Sequence, residues 1–292
     1  MAKSGFVAII GRPNVGKSTF LNTILEKKVS IVSDIPQTTR NNIKGILTRE
    51  HGQIVFIDTP GLHKVENKLN SFMVSETLNI INDADLILFF ISPLDNFNKI
   101  DEFVLKTILN RKVILVINKI DLNFDKNHLI KRVVNYTEKY EFIEVLYISA
   151  KMKTNVDSLE KIIFKHLEDG PFYYNTNQVV EYSDEFWITE LIREKLFYFL
   201  KQELPHNIAV LISNIIDNEH ELEIYVDIYV NRDSQKGIII GKGGSLVKKI
   251  KELTLRNLKL IFQKKIFLDI NVKVEKNWIS KNIQKMGYNK NG

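Results

Sequence analysis

A glycine-rich string near the start of the chain combines the residue types that bind a phosphate chain. Residues 11–18 match the pattern G-x-x-x-x-G-K-[ST] and lie between an apolar run that predicts a strand and a segment that predicts a helix. The glycines let backbone N–H groups point at phosphate oxygens, with the positive end of the helix dipole behind them. We expect Lys17 to neutralise the β- and γ-phosphates and Ser18 to ligate Mg²⁺ through Oγ. The residues predicted to contact nucleotide here are Gly11, Arg12, Pro13, Asn14, Val15, Gly16, Lys17, Ser18 and Thr19.

A second string, NKID at residues 118–121, has side chains that can select the base of a nucleotide. It follows the apolar run 113–117, at the end of a predicted strand. The Asp121 carboxylate can accept two hydrogen bonds from guanine N1–H and the 2-amino group, which adenine lacks. We expect Asn118 to hold the loop and the purine edge, and the aliphatic stem of Lys119 to pack on the base. The loop after the predicted strand 145–148 is placed so that one of its backbone N–H groups can donate a hydrogen bond to guanine O6. The residues in these two loops are Asn118, Lys119, Ile120, Asp121, Ser149, Ala150 and Lys151.

Two further segments are predicted to respond to the γ-phosphate. The string 58–61 (DTPG) follows the apolar run 54–57, so its carboxylate can reach Mg²⁺ through water and its glycine N–H can sense the γ-phosphate. The string 37–40 (QTTR) offers two threonines, of which one is the second Mg²⁺ hydroxyl ligand; the sequence leaves either open. Both segments should be released when the γ-phosphate is lost. The predicted catalytic residues are Lys17, Thr38, Thr39 and Gly61. Nucleotide contact is predicted for Asp58, Thr59, Pro60 and Gly61, and Mg²⁺ is expected at Ser18, Thr38, Thr39 and Asp58.

The elements that position these strings alternate along residues 6–170. Short apolar runs predict strands at 6–10, 54–57, 86–91, 113–117 and 145–148, and amphipathic segments predict helices at 18–25, 69–79, 100–109, 129–140 and 156–167. Near-continuous hydrophobicity indicates strands buried on both faces. The pattern predicts a doubly wound α/β domain with a mostly parallel sheet over residues 1–171, followed by a linker at 172–182.

Residues 183–292 change to an α+β pattern. A predicted helix is followed by two strands, the string GKGG at 241–244, a basic helix near 245–260 and a third strand. A GxxG loop beside a basic helix can clamp the backbone of about four single-stranded nucleotides, as in KH domains. We expect Leu246, Ile250 and Leu253 to point into the core. The predicted RNA-binding residues are Gly241, Lys242, Gly243, Gly244, Lys248 and Lys249.

Charge and composition limit the remaining possibilities. The 292-residue chain has a net charge of +6, and residues 236–292 carry a net +11, which indicates a polyanionic partner such as nucleic acid or an anionic membrane surface. Cysteine is absent, which excludes disulfides, thiolate metal sites and cysteine nucleophiles. Neither a secretion signal nor a membrane-spanning run is predicted, since the longest apolar stretch has six residues, 86–91.

Together the strings GRPNVGKST, QTTR, DTPGLH, NKID and SAK resemble the translation-factor-class bacterial GTPases, and within them the Era family. The second half is also similar to that family, through ELIREKL, ELP, IIIGKGG, VKVEKNW and MGY. The resemblance implies a P-loop GTPase domain followed by a type II KH domain whose ligand is the 3′ end of small-subunit (16S) ribosomal RNA. It implies GTP, GDP and Mg²⁺ as ligands and a role in 30S subunit assembly, in a cytoplasmic protein that we expect to be monomeric.

Leu62 bears on the rate of hydrolysis, and we include it among the nucleotide-binding residues. It occupies the position at which Ras-like GTPases carry a water-orienting glutamine, and leucine has no polar group for that task, so slow intrinsic hydrolysis is expected. The resemblance implies water positioning by backbone groups and a K⁺ ion on Asn14, against the alternative that Asn14 only shapes its loop.

Two other functions stay open. One is a membrane- or stress-linked signalling GTPase, peripheral at the inner face of the cell membrane, whose basic C-terminal region meets lipid. The other is a P-loop ATPase or small-molecule kinase, which would have to use ATP.

Overall fold

The chain divides into two compact units in this computed structural model. The structure describes residues 2–32, 42–61, 68–200, 208–276 and 278. The first unit spans Met1–Glu181 and the second Tyr182–Gly292.

The first unit is built on a seven-stranded sheet in the order β6-β5-β4-β1-β3-β2-β7. Its strands are β1 (Lys3–Gly11), β2 (Ile43–Arg49), β3 (Gly52–Asp58), β4 (Leu86–Ile91), β5 (Val113–Ile117), β6 (Glu144–Tyr147) and β7 (Val180–Glu181). Its helices are α1 (Lys17–Ile24), α2 (Lys68–Asp83), α3 (Lys99–Thr107), α4 (Lys126–Thr137) and α5 (Val156–His166). The five predicted strands and five predicted helices are all present, with ends that differ by a few residues.

Five of the strands run parallel and direct their carboxyl ends to one edge. β1 pairs in parallel with β3 and β4, and β5 pairs in parallel with β4 and β6. β3, β4 and β5 are buried along their whole length, because the helices cover both faces of the sheet. The loops that follow β1, β3, β5 and β6 therefore meet at the carboxyl edge, where ligands bind in open α/β sheets.

Two antiparallel strands were not predicted. β2 pairs with β3, and β7 pairs with β2 through Lys44 and Gly45. Gly45 interrupts the apolar run of β2, and a Cβ there would lie 2.5 Å from Leu25 Cδ1. β7 lies within the segment expected to be a linker, and it is too short to leave a periodic signal.

The second unit is a three-stranded sheet, in the order β10-β9-β8, with helices that share its core. β8 and β9 are antiparallel and β10 is parallel to β9. Its elements are α6 (Asp184–Phe199), β8 (Ala209–Asp217), β9 (Glu221–Val230), α7 (Asp233–Ile240), α8 (Ser245–Phe262) and β10 (Lys265–Val274).

The order of helices and strands in the second unit differs from the order predicted from the sequence. Helix α7 stands between β9 and the GKGG string, which was expected directly after a strand. Gly237 and three isoleucines are weak helix formers, so α7 depends on tertiary packing, in which Ile239 is fully buried. On α8 the buried residues are Ile250, Thr254 and Leu258, with Leu246 partly buried, whereas Leu253 is not part of the core cluster.

Candidate functional site: a nucleotide pocket and a glycine loop

The glycine-rich string 11–18, called the phosphate loop from here on, follows β1 and depends on residues that accept a positive φ. Gly11 has φ +144°, Gly16 has φ +96° and Asn14 has φ +62°. A Cβ at Gly11 would collide with the backbone oxygen of Phe90, and one at Gly16 would collide with the amide of Asn118. The two glycines of the motif therefore have steric reasons to be glycine, besides their approach to phosphate.

Lys17 directs its ammonium across the phosphate loop. Its Nζ donates to the backbone oxygens of Gly11, at 3.2 Å, and Arg12, at 2.9 Å. Burial lowers the pKa of Lys17 to about 8, although the charge of Asp58 opposes that shift. A buried ammonium at the centre of the loop is suited to neutralising phosphate oxygens, and this is the role that the sequence predicts for it.

Ser18 and Asp58 form the Mg²⁺ side of the pocket. Ser18 Oγ donates to Asp58 Oδ2 at 2.7 Å, and Asp58 is fully buried at the end of β3. Burial raises the pKa of Asp58, while Lys17 and two serine hydroxyls oppose the shift. Asp58 Oδ1 is buried and has no hydrogen-bond partner within the described part of the chain. A buried oxygen of this kind beside a serine hydroxyl fits the hydrated Mg²⁺ that the fold family implies.

The structure describes only part of the two segments that are predicted to respond to the γ-phosphate. Thr59 Oγ1 donates to the backbone oxygen of Ile9 at 2.8 Å, which holds the start of the DTPG string to β1. A Cβ at Gly61 would lie 2.6 Å from the backbone nitrogen of Pro13, so this glycine lets the string approach the phosphate loop. Thr38, Thr39 and Leu62 lie outside the described residues.

Asn118 links the phosphate loop to the loop after β6. Its Nδ2 donates to the backbone oxygen of Val15 at 2.9 Å, and its Oδ1 accepts from the backbone N–H of Ala150 at 2.9 Å. Asn118 is 1% exposed. The side chain therefore fixes the distance between two loops that the sequence assigned separately to phosphate and to base.

Asp121 is held by the loop that follows β6. Ser149 Oγ donates to Asp121 Oδ1 at 2.6 Å and accepts from the backbone N–H of Met152 at 3.1 Å. Lys119 takes φ +69°, and the N–H of Ile120 donates to the backbone oxygen of Ile148 at 3.2 Å. An oriented carboxylate at this place can accept from the N1–H and 2-amino donors of guanine.

Arg12 is engaged by a buried carboxylate that the sequence did not single out. Its guanidinium binds the Asp101 carboxylate through two nitrogens and the backbone oxygen of Asn96. Asp101 is fully buried and also accepts from the N–H of Asn98, the N-cap of α3. This pair anchors the phosphate loop to α3. Asp101 lies 89 positions from Arg12 in the sequence, and no local sequence pattern predicts a contact over such a separation.

The GKGG string of the second unit forms a backbone cradle before α8. Gly241, Gly243 and Gly244 have φ values of +72°, +59° and +79°. A Cβ at Gly243 or Gly244 would meet nothing within 4 Å, whereas one at Gly241 would lie 2.9 Å from Leu246 Cβ. The loop is thus open at its centre and leads into a helix N-terminus, which favours a phosphate backbone.

Three lysines lie in this loop or in the first two turns of α8. Lys242 and Lys248 are exposed, and Lys249 Nζ lies 4.9 Å from the ring centroid of Phe199. The structure therefore places the six predicted RNA-binding residues in one loop and the first turns of one helix.

Two features are absent from the described residues. In that part of the chain, no set of three His, Asp or Glu side chains is arranged to hold a metal ion. None of its helices is both long and apolar enough to span a membrane.

Comparison with known proteins matches both units. Residues 6–119 match the family model described as 50S ribosome-binding GTPase, and residues 203–279 match the KH domain model. A curated GTPase Era of Staphylococcus haemolyticus (strain JCSC1435) is 40% identical over 291 residues, which cover 98% of this chain and 97% of that protein.

Two solved structures match nearly all of the chain. A crystal structure of Era in complex with MgGDPNP and nucleotides 1506–1542 of 16S ribosomal RNA has a TM-score of 0.93 and 34% identity, and the match covers 99% of each chain. An Aquifex aeolicus Era variant bound to GDP and AlF4⁻ has a TM-score of 0.92 and 34% identity, with 98% of this chain and 99% of that chain covered.

Proposed function

The chain belongs to the Era family of GTPases, and on that premise we propose that it is a GTP-controlled protein that binds small-subunit ribosomal RNA near its 3′ end and acts in 30S subunit assembly. The observation that carries the proposal is the presence, in one chain, of a guanine nucleotide pocket and an open GKGG cradle flanked by lysines. The Era structure solved with nucleotides 1506–1542 of 16S ribosomal RNA supports the choice of RNA.

The nucleotide pocket has its roles divided among loops. Lys17 neutralises phosphate, Asp121 selects guanine, and Asn118 holds the phosphate and base loops in register. Mg²⁺ held by Ser18 and, through water, by Asp58 would neutralise charge that develops on the phosphate oxygens. We assign the second hydroxyl ligand to Thr38 or Thr39 and the γ-phosphate contact to Gly61. With Leu62 in place of a polar residue, hydrolysis of GTP to GDP and phosphate is slow.

Two features of the proposal concern ions and domains. Asn14 lies exposed in the phosphate loop with φ +62°, and we assign it to a K⁺ ion that completes the charge around the phosphates. We propose a GTPase domain at 1–171, a KH domain at 183–292 and a connecting segment at 172–182, which contains β7 of the first unit's sheet. The protein acts as a cytoplasmic monomer.

Strand β7 supplies a route from the nucleotide to the RNA-binding unit. β2 begins at Ile43, three residues after the QTTR string, and pairs with β7. Lys44 Nζ lies 2.9 Å from Glu181 Oε2, and the Ile46 N–H donates to the Val179 oxygen at 2.7 Å. Ser183, two residues after β7, caps α6. A shift of β2 with the state of the γ-phosphate would therefore act on the residues that lead into the second unit.

The direct test is RNA binding by a variant of the cradle. Gly243→Asp places a carboxylate at the open centre of the loop, where φ +59° is accessible to aspartate. We expect loss of binding to a 3′-terminal small-subunit RNA fragment in a filter assay, with GDP affinity unchanged. Gly170→Asp is the matched control, because it adds the same charge in the first unit, where a Cβ has only ordinary contacts. Equal RNA binding by both variants would refute the cradle assignment, and joint loss of RNA and GDP binding would indicate misfolding.

The net charge of +11 over residues 236–292 supports a second candidate, a signalling GTPase that is peripheral to an anionic membrane. Flotation with phosphatidylglycerol vesicles, run beside the RNA assay, separates the two. Vesicle binding with no RNA binding would favour the membrane function.

A further inference from the structure

Ser30 belongs to none of the nucleotide-binding strings and yet contacts the Mg²⁺ side of the pocket. It is fully buried, and its Oγ donates to Asp58 Oδ2 at 3.1 Å. Ser18 Oγ donates to the same oxygen at 2.7 Å. Asp58 Oδ2 thus accepts two hydroxyl hydrogen bonds, one from Ser18 of the phosphate loop and one from Ser30 in the segment after α1.

The position of Ser30 is fixed by α1 through Asn22. Asn22 Oδ1 accepts from the backbone N–H groups of Val29, at 2.8 Å, and Ser30, at 2.9 Å, and Asn22 Nδ2 donates to the backbone oxygen of Ser30 at 2.8 Å. Asn22 lies one turn after Ser18 on the same helix. The two hydroxyls that meet Asp58 are therefore held by one rigid element.

This arrangement orients the Asp58 carboxylate. An ionised carboxylate only accepts hydrogen bonds, and with Oδ2 bound on two sides the group cannot rotate without losing them. Oδ1 is buried and has no partner within the described residues, so it remains for a donor that enters the pocket. A Mg²⁺-bound water is such a donor. The Ser18 hydroxyl can donate its hydrogen bond to Asp58 and at the same time offer an oxygen lone pair to the metal.

We propose that Ser30 is a positioning residue for Mg²⁺, which acts by holding Asp58 in the orientation that accepts from metal-bound water. In this role Ser30 acts on the metal through its hydrogen bond to Asp58. Groups that orient metal-binding residues change metal affinity about 10- to 100-fold when they are removed. The proposal rests on the proposed function only in that Mg²⁺ and a guanine nucleotide share this pocket.

The test measures release of fluorescent GDP from Ser30→Ala as a function of free Mg²⁺ and in EDTA. We expect the Mg²⁺ concentration for half-maximal slowing of release to rise about 10- to 100-fold, with the EDTA rate within about twofold of the parent protein. Ser4→Ala is the matched control: Ser4 is 5% exposed in β1, and its Oγ lacks a hydrogen-bond partner in the described residues. Its Mg²⁺ dependence should match the parent protein.

Ser30→Cys provides a second variant of nearly the same volume, in which a weak S–H donor replaces the hydroxyl. It should shift the half-maximal Mg²⁺ concentration in the same direction, and it remains informative if Ser30→Ala does not fold. An unchanged Mg²⁺ dependence in a folded variant would overturn the proposal. So would equal acceleration of release with Mg²⁺ and in EDTA, which would indicate a structural role only. A parent protein that binds no GDP would instead refute the nucleotide site itself.

Discussion

Replacing Asn118 by alanine tests whether the phosphate and base loops are fixed by one side chain. The change removes the donor to the Val15 oxygen and the acceptor for the Ala150 N–H. Val15 and Ala150 are each 1% exposed, so both backbone groups would be left buried without these partners. Asn118 is also predicted to contact the purine edge, so a change in GDP affinity reports both losses, whereas a change in melting temperature without nucleotide reports the lost bridge alone.

The magnitude follows from the two orphaned groups. Each costs about 1–3 kcal/mol when it is left unsatisfied, which gives about 2–6 kcal/mol in total. If the loops separate in the free protein, they must be brought together when nucleotide binds, and the cost appears as weaker GDP binding. At about 2 kcal/mol it is about 30-fold in the dissociation constant. If the loops stay together, the cost lowers the free energy of unfolding and the first unit melts about 4–8 °C lower.

The assay combines fluorescent-GDP titration with thermal unfolding. The transition of the first unit is recognised by its rise with GDP concentration, since a ligand that binds the folded state raises its melting temperature. Asn79→Ala, at an exposed position of α2, is the control and should change neither quantity. A GDP affinity within threefold of the parent, together with an unchanged melting temperature, would refute the bridging role of Asn118.

Two further changes probe the same pocket. Asp121→Asn presents an amide donor where the carboxylate accepts, so GDP affinity should fall about 10- to 100-fold, while xanthosine diphosphate should bind more tightly through its 2-oxo group. Competition binding measures both affinities. If GDP remains the better ligand of the variant, the assignment of Asp121 to guanine is contradicted. GTP hydrolysis in K⁺ should exceed that in Na⁺ at equal ionic strength at least about tenfold, and Asn14→Ala should abolish the difference, whereas equal rates in the parent protein would remove the K⁺ site.

The elements of the first unit were predictable because their signals are local. Strands β3, β4 and β5 are buried on both faces, and an unbroken apolar run is the direct consequence. Gly11 and Gly16 were identifiable because the motif requires glycine where φ is positive and where a Cβ would collide. β2 and β7 were missed because Gly45 breaks one pattern and two residues are too few to form the other.

The residues that organise the site were harder to find. Ser30, Asn22 and Asp101 act through hydrogen bonds or ion pairs that fold-dependent proximity creates, and neither periodicity nor a short motif marks them. In the second unit, α7 was missed because its sequence has low helix propensity and the helix is stabilised by tertiary packing. Local pattern therefore predicted the loops that we assign to ligand binding, and the structure added the contacts that hold those loops.

Crosslinking of the full chain to cellular RNA tests whether guanine nucleotide binding is coupled to the binding of ribosomal RNA. Bound fragments would be sequenced in parallel with a non-hydrolysable GTP analogue and with GDP. We expect enrichment of the 3′ end of small-subunit ribosomal RNA that is greater in the GTP-analogue state and is lost in Gly243→Asp. Equal enrichment in both nucleotide states would contradict the coupling, and no enrichment in either state would contradict the RNA assignment.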